Sequence, residues 1–199
     1  MIWLLENKEH NYPKKEKSPL KKAVSYIYEW LDSAVFSMFA VILLFTFFFG
    51  IVGVEGESME NTLFQDDKLI ISHFNYTPKQ GDIVIISRNH ENDKDMIITD
   101  FNKPLVKRIV AVGGQTVEVK DGKVYVDGKE IDEPYTKTPT DNKDMDGPVE
   151  VPQGYVFTMG DNRYGSHDSR ADDIGVIDER YILGKAIFRI FPINEFTKF

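Results

Sequence analysis

The sequence predicts an all-β domain of coiled antiparallel sheets, preceded by a single membrane-spanning helix. Three observations support this fold class. Residues 33–54 carry no charge, and the chain after residue 66 divides into short segments rich in Val, Ile and aromatic residues. In addition, Asp121-Gly122 joins two segments in which apolar and polar residues alternate, which is a strong signal for a β-hairpin.

The uncharged segment 34–54, AVFSMFAVILLFTFFFGIVGV, is long enough to cross a bilayer. At a rise of about 1.5 Å per residue, a helix of this length covers about 30 Å, the thickness of the hydrocarbon layer. It is apolar on every side, which suits lipid better than the core of a small soluble domain. A cleaved signal peptide is the alternative, but this segment is longer than the apolar part of such a peptide and has no A-x-A-like cleavage site. We therefore predict a retained anchor.

The charges on the two flanks predict the direction of the anchor. Segment 14–22 carries five Lys and one Glu, whereas three Glu follow between residues 55 and 60. Lysine-rich flanks stay preferentially in the cytoplasm. The prediction is a cytoplasmic tail (1–33), a transmembrane anchor (34–54) and one extracytoplasmic domain (55–199).

The extracytoplasmic part is predicted to consist of short strands separated by turns, because its segments are β-branched and aromatic. The polar segment 132–150 contains three prolines and predicts an exposed loop. The predicted strands are KLIISHF (68–74), DIVIISR (82–88), LVKRIVAV (105–112), TVEVK (116–120), KVYV (123–126), YVFTM (155–159) and KAIFRIF (185–191).

Composition excludes several functions. The net charge of -8 argues against a nucleic-acid partner, because phosphate binding needs a basic surface. The chain has no Cys, which rules out disulfides, a thiol nucleophile and thiolate metal ligands. It also has no H-E-x-x-H motif and no close set of His and carboxylate ligands, so we predict no metal and no other cofactor.

Ser58 lies in GESMENTL (56–63), two residues after Gly56 and four residues beyond the apolar segment. Such a serine is either an ordinary linker residue or a nucleophile held at a membrane surface. A serine nucleophile needs a neighbouring base that takes its proton.

Lys107 is one candidate for that base. In LVKRIVAV (105–112), strand alternation places Lys107 between Leu105 and Ile109 on one face. A lysine in apolar surroundings has a lowered pKa and can act as a neutral base. The alternative is a lysine on an edge strand that prevents aggregation. Spacing alone leaves both interpretations open.

A second polar cluster lies in MGDNRYGSHDSRADDIGV (159–176), where acidic, basic and hydroxyl side chains crowd a glycine-containing turn. This density favours a buried hydrogen-bonded network over a solvated loop. Asp168 and Arg170 could form one charge-assisted pair, which Arg108 could join.

Other nucleophile arrangements remain open at this point. The letters SHD at 166–168 cannot form a triad among themselves, because a triad is a spatial arrangement. Ser58 could instead use His73 or His167 together with an Asp. The S-x-x-K spacing of SPLK (18–21) contains a proline and lies in the basic tail, so we interpret it as a chance match.

Taken together, these segments closely resemble bacterial type I signal peptidases, which are membrane-anchored serine proteases with a Ser/Lys dyad. The resemblance covers about residues 30–192 and rests on an anchor followed by GESMENTLFQDD, GDIV, LVKRIVAVGG and GDNRYGSHDSRADDIGV in this order. The segment GDNRYGSHDSR is its most specific part.

The resemblance implies that Ser58 is the nucleophile and Lys107 the general base. Ser166 would orient the lysine amine through its hydroxyl group. The backbone N–H of Ser58 would donate one hydrogen bond to the oxyanion. Lys107 in VKR resembles the Lys-dependent branch and not the endoplasmic-reticulum type, which uses His.

The resemblance also implies supporting roles. Asp161, Asp168 and Arg170 would hold the site together, with Arg108 as an ionic partner. Met59, directly after the nucleophile, would help to line the substrate cleft.

Two positions differ from parts of the family. Asn61 stands where the family usually has Pro, which predicts a less rigid turn. Gly56 stands where some relatives have a Ser whose hydroxyl is a second oxyanion donor, and a Gly here is common in the Gram-positive branch.

The resemblance further implies that the partners are signal peptides of exported preproteins, bound as an added β-strand with small residues in shallow apolar pockets. An apolar surface near Ser58 would contact membrane lipid.

Two other functions compete with this one. A self-cleaving Ser/Lys protease of the repressor type would have a DNA-binding helical domain instead of an anchor. A membrane-stalked extracellular β binding module would leave Lys107 and the 159–176 cluster unexplained.

Overall fold

The computed structural model describes residues 18–74, 76–87 and 104–199. By their contacts, the residues divide after Leu44 into two compact units. The first is helical and the second, which begins at Phe45, contains the β structure. Residues 1–17 of the predicted tail therefore lie outside the described residues, as does Arg88 at the end of one predicted strand.

Helix α1 spans Pro19–Phe48 and is long and apolar enough to cross a membrane. It begins in the basic segment, before the predicted anchor, and ends before Val54. The last part of the predicted anchor, Phe49–Gly53, instead forms strand β1. Glycine weakens a helix, and the β-branched residues Ile51 and Val52 favour the extended pairing that β1 makes with the next strand.

Eleven further strands follow within the described residues, together with two short 3₁₀ helices at Glu179–Tyr181 and Ile193–Glu195. The strands are β2 (Lys68–Ser72), β3 (Ile83–Ile86), β4 (Leu105–Val112), β5 (Thr116–Lys120), β6 (Lys123–Val126), β7 (Lys129–Glu130), β8 (Val149–Glu150), β9 (Tyr155–Met159), β10 (Ile177–Asp178), β11 (Ile182–Phe191) and β12 (Thr197–Lys198). All seven predicted strands are present, and four of them have the predicted bounds.

Two antiparallel sheets contain these strands. The larger has eight strands in the order β1-β2-β11-β3-β4-β9-β10, with β12 also paired to β11. The smaller has the order β7-β6-β5-β8. Register shifts within β11 and β4 bend the larger sheet. The predicted fold class, a mostly β domain preceded by an apolar helix, is confirmed.

Three groups of buried apolar side chains stabilise this domain. One includes Val54, Met59, Leu63, Ile71 and Val106, so it joins the segment around Ser58 to strands β2 and β4. A second lies between the small sheet and β9, and a third packs against β3 and β4. Apolar side chains of the core thus pack next to both Ser58 and Lys107 in the chain, through Met59 and Val106.

The prediction of an exposed loop over 132–150 is wrong for part of that segment. Thr140 and Met145 are buried, and Met145 packs in the second apolar group. The polar composition misleads here because several of its polar side chains bind buried arginines, as described below.

Candidate active site

Ser58 lies on a closed loop between β1 and β2. The Val54 N–H donates to the Asp67 carbonyl at 2.8 Å, and the Asp66 N–H donates to the Val54 carbonyl at 3.0 Å. Ser58 itself is partly exposed. The two backbone hydrogen bonds hold the ends of the loop together, so the backbone that carries Ser58 is fixed in position.

The turn after Ser58 is anchored by buried side chains. Met59 and Leu63 are 1% and 0% exposed, and the Leu63 N–H donates to the Met59 carbonyl at 2.8 Å. Met59 packs in the apolar core, so its side chain supports the turn, and its role in a substrate cleft stays a prediction. Gly56 has a φ of 81°, a conformation that favours glycine, and its N–H donates to the Gln65 Oε1 at 2.7 Å.

Lys107 is buried in the middle of the larger sheet. It lies on β4 opposite Val84 of β3, and Lys107 as a whole is only 3% exposed. Strand β4 pairs on both sides, with β3 and β9. The edge-strand interpretation is therefore wrong. Burial disfavours the charged form of an amine, which is the environment that a lysine base needs.

Asp161 connects β4 to the Ser58 loop. Arg108 donates from Nε to Oδ1 at 2.8 Å and from a terminal nitrogen to Oδ2 at 2.7 Å. The Thr62 hydroxyl donates to the same Oδ2 at 2.5 Å. Asp161 is fully buried, so one carboxylate ties the neighbour of Lys107 to a residue four positions after Ser58. Arg108 pairs with Asp161 and does not join the Asp168 pair.

Asp168 and Arg170 form the predicted charge-assisted pair. Arg170 donates two hydrogen bonds at 2.8 Å, one to each carboxylate oxygen, and the Gly160 N–H adds a third at 3.0 Å. Burial alone would raise the pKa of Asp168. The hydrogen bonds and the charge of Arg170 outweigh that effect and hold the pKa below its ordinary value.

Gly160 lies between Ser58 and Ser166. A Cβ on Gly160 would stand 2.3 Å from the Ser58 carbonyl oxygen and 2.3 Å from the Ser166 hydroxyl oxygen. The Asn162 N–H donates to the same Ser58 carbonyl at 3.1 Å. The turn that carries Ser166 is therefore packed directly on the backbone of Ser58.

Ser166 is 1% exposed, and its hydroxyl oxygen has no hydrogen-bond partner among the residues that the structure describes. The hydroxyl is near enough to Asp168 to favour the charged carboxylate, but the geometry of a hydrogen bond is not met. Buried hydroxyls are normally satisfied, so this one is unusual.

Sequence reasoning missed Arg163, which is 0% exposed. Its Nε donates to the Gly160 carbonyl at 3.1 Å, and its guanidinium binds Glu133 and Thr140. Tyr135 was missed as well, and its ring centre lies 3.9 Å from the Arg108 guanidinium carbon. Arg163 stands inside the polar cluster and could have been named, whereas nothing in the sequence links it to Glu133.

The two histidines that were considered as bases have other partners. His73 Nδ1 lies 2.6 Å from the Leu183 carbonyl oxygen, and His167 Nε2 lies 2.8 Å from the Asp173 carboxylate. Both side chains are exposed. No set of three or more His, Cys, Asp or Glu in the described part of the chain is arranged to hold a metal.

Comparison with known proteins identifies the family of the chain. The model of the family described as signal peptidase, peptidase S26, matches residues 27–191. The chain belongs to this family. It is 35% identical over 196 residues to signal peptidase I of Bacillus licheniformis, covering 92% of this chain and 97% of the relative. It is 38% identical over 191 residues to signal peptidase I T of Bacillus subtilis strain 168, covering 90% and 93%.

A third relative lies outside the bacilli. The chain is 33% identical over 183 residues to a probable signal peptidase I-1 of Synechocystis, covering 90% of each. Membership in the peptidase S26 family makes the chain a membrane-anchored serine endopeptidase of the Gram-positive-like type I group. The predicted family, fold class and enzyme class are confirmed.

Proposed function

We propose that this peptidase removes N-terminal signal peptides from exported preproteins, with Ser58 as the nucleophile and Lys107 as the general base. The observation that carries the proposal is the position of Gly160, which packs the Ser166 turn against the Ser58 backbone. The shared Asp161 carboxylate adds a second link, from the Ser58 loop to the residue next to Lys107.

In the proposed reaction, the neutral Lys107 amine takes the proton of the Ser58 hydroxyl while Oγ attacks the scissile carbonyl carbon. The carbonyl oxygen becomes an oxyanion, to which the Ser58 N–H donates a hydrogen bond. The C–N bond then breaks, and the Lys107 ammonium returns the proton to the leaving amine. The Lys107 amine then takes a proton from water while the water oxygen attacks the acyl carbon. The bond from this carbon to the Ser58 Oγ breaks, Lys107 returns the proton to Oγ, and the signal peptide leaves with a new carboxyl end.

The surrounding residues have positioning roles in this proposal. Ser166 is proposed to orient the Lys107 amine through its hydroxyl group. This hydroxyl is buried and has no hydrogen-bond partner among the described residues, so it is available for that contact. Arg108 and Asp161 hold the strand of Lys107 against the loop of Ser58, and the Asp168–Arg170 pair holds the turn of Ser166. We propose no metal and no other cofactor.

The substrate is proposed to bind as an extended strand, with small side chains in shallow apolar pockets near Gly56 and Met59. Signal peptides reach the enzyme from the membrane, and α1 carries no charged residue from Ser33 to its end at Phe48. We propose a single-pass topology with a cytoplasmic N-terminus and the β domain outside, in contact with lipid. No nucleic acid takes part, in keeping with the net charge of -8.

Cleavage of a purified preprotein in detergent micelles tests the proposal. We expect the full chain to release the mature protein and Ser58→Ala to release none, while the circular dichroism of its β-sheets stays unchanged. Ser37→Ala, in α1, serves as the matched control and should cleave normally.

Retention of a tenth of the wild-type rate by Ser58→Ala would remove Ser58 from the mechanism. Binding of the preprotein by the wild-type chain without cleavage would favour the membrane-stalked binding module instead.

A further inference from the structure

Residues 132–140, here called the clasp, bind a buried arginine of the site. The Glu133 carboxylate accepts hydrogen bonds from both terminal nitrogens of Arg163, one of them at 2.8 Å. Thr140 accepts a third, at 2.6 Å. The side chains of Arg163 and Glu133 are only 1% and 9% exposed. The clasp is therefore joined to the site by an ion pair that is largely shielded from solvent.

Arg163 passes this attachment on to the turn beside Ser58. Its Nε donates to the Gly160 carbonyl at 3.1 Å, and its own carbonyl accepts from Arg170 at 2.8 Å. Gly160 in turn touches Ser58 and Ser166. A shift of Arg163 would consequently move the backbone that lies between the proposed nucleophile and the serine that orients the base.

Tyr135 links the clasp to a second arginine. Its ring lies over the Arg108 guanidinium at 3.9 Å and is 5.9 Å from that of Arg163. Its hydroxyl donates to the Glu133 carboxylate at 3.0 Å. Arg108 is the neighbour of Lys107 on β4. Tyr135 thus lies close to Arg108, which follows the proposed base Lys107, and to Arg163, which binds the turn beside the proposed nucleophile.

From these contacts we propose that Glu133 and Tyr135 are positioning residues for the proteolytic reaction, acting through Arg163 and Arg108. The inference rests on the proposed function, because it assigns a role in the same site. Neither residue touches the reacting atoms in this scheme. They fix the two arginines that hold the Ser166 turn and the Lys107 strand.

The charge balance explains why Glu133 is needed. Burial alone would lower the pKa of Arg163, but the hydrogen bonds and the charge of Glu133 more than offset that effect. A buried cation that loses its partner carboxylate must move towards water or another acceptor. Since Arg163 also holds the Gly160 carbonyl, that movement disturbs the packing around Ser58.

Steady-state cleavage of a signal-peptide substrate by the full chain in detergent tests this role. We expect Glu133→Gln and Tyr135→Leu to lower kcat by about tenfold with little change in KM, because misplaced groups slow the reaction without removing a substrate contact. Tyr135→Phe keeps the ring over Arg108 but loses the hydrogen bond to Glu133, so its kcat should lie between those of Tyr135→Leu and the wild type.

Glu130→Gln provides the matched control, since Glu130 pairs with Lys123 at 2.7 Å on the surface of the small sheet. All rates are measured well below each melting temperature, so that lost stability alone leaves kcat unchanged. If Glu133→Gln fails to fold, Glu133→Asp keeps the charge but shortens the side chain, and it should show the lowered kcat.

A kcat for folded Glu133→Gln or Glu133→Asp equal to that of Glu130→Gln would overturn the positioning role and leave the proposed function standing. A kcat for Tyr135→Leu equal to that of Tyr135→Phe would overturn the role of the ring. Absence of cleavage by the wild-type chain would overturn the proposed function, and the positioning role with it.

Discussion

The Ser58 carbonyl oxygen lies only 2.3 Å from the point where a Cβ of Gly160 would stand. Because the oxygen belongs to the backbone, it cannot turn away as a flexible side chain could. We expect Gly160→Ala to push the Ser58 loop and the Ser166 turn apart and to lower the cleavage rate on the order of a hundredfold, the cost of a misplacement of about 1 Å. A preprotein assay of the folded protein measures it.

Gly147→Ala is the control for Gly160→Ala. A Cβ on Gly147 would meet no atom within 4 Å, so this variant should cleave at the wild-type rate. Equal rates for the two variants would mean that the close approach of Gly160 to Ser58 has no part in activity.

Lys107→Arg and Lys107→Ala should both lower the rate, by about 10²- to 10⁴-fold. Arginine cannot lose its proton near neutral pH and so cannot act as a base, although it has a similar length. The measurement is the initial cleavage rate, with the fold checked by circular dichroism. Lys123→Arg, an exposed lysine of the small sheet, should be fully active. An active Lys107→Arg would show that Lys107 is structural, and His73 and His167 would then be the next candidates.

The pH dependence of the wild-type rate tests the same lysine. Lys107 is buried, and burial disfavours the charged form of an amine, so we expect the rate to fall on the acid side if its amine is the base and gains a proton there. The midpoint of that fall should lie well below 10.4, the ordinary value for lysine. A rate that shows no acid limb would contradict this assignment.

Asp168→Asn should destabilise the domain at neutral pH by about 3 kcal/mol, because Arg170 then loses its buried carboxylate partner and keeps only the half-exposed Asp141. The folded-state pKa of Asp168 is lowered, so its contribution is present above the ordinary pKa of about 3.9 and is lost as the pH falls through the lower folded value. Urea unfolding from neutral to acidic pH should therefore show the gap to wild type closing below about pH 4.

Asp173→Asn is the comparison for that experiment, since the side chains of Asp173 and its partner His167 are both about half exposed. Surface pairs contribute little to stability, so this variant should stay near wild type throughout. A gap for Asp168→Asn that persists unchanged into strong acid would contradict the pairing with Arg170.

Asn61 has a φ of 90°, which proline cannot adopt because its ring holds φ near about -65°. Asn61→Pro should therefore lower the free energy of unfolding by more than about 1 kcal/mol. Asn61→Gly should change it by about 1 kcal/mol or less. Urea unfolding decides, and a Pro variant as stable as the Gly variant would mean that the turn adopts a negative φ.

The absence of cysteine allows a clean test of topology. A membrane-impermeant maleimide applied to intact cells should label Lys137→Cys, which replaces an exposed residue of the β domain, and should not label Lys8→Cys in the tail. After the cells are broken, both should react. Labelling of the tail variant alone in intact cells would show the opposite orientation.

Strands β4, β5, β6 and β9 could be predicted to the residue, because alternation and a tight Asp-Gly turn are local features that set register directly. The end of helix α1 at Phe48 could not. Residues 49–53 are apolar enough for lipid, and only their pairing with β2, which follows later in the chain, makes them a strand.

The residues of the candidate site, too, could be predicted only in part from the sequence. Ser58, Lys107 and the 159–176 cluster could be singled out because unusual residue types stand next to apolar strands or the anchor. The partners of Arg163 could not, since Glu133 lies 30 residues away in the chain and an isolated polar segment is indistinguishable from a solvated loop. Burial of polar groups depends on tertiary contacts that no local pattern records.

The pairing of Thr62 with Asp161 spans 99 positions of the chain, and that of Asn162 with Glu57 spans 105. During synthesis the proposed nucleophile therefore emerges long before the residues that complete its surroundings. A ribosome must translate almost the whole polypeptide before Asp161, Ser166 and Asp168 can join it. If the proposed mechanism holds, the nascent enzyme is therefore inactive, and we expect proteolysis to begin only after residues 161–168 have been synthesised and have folded against the Ser58 loop.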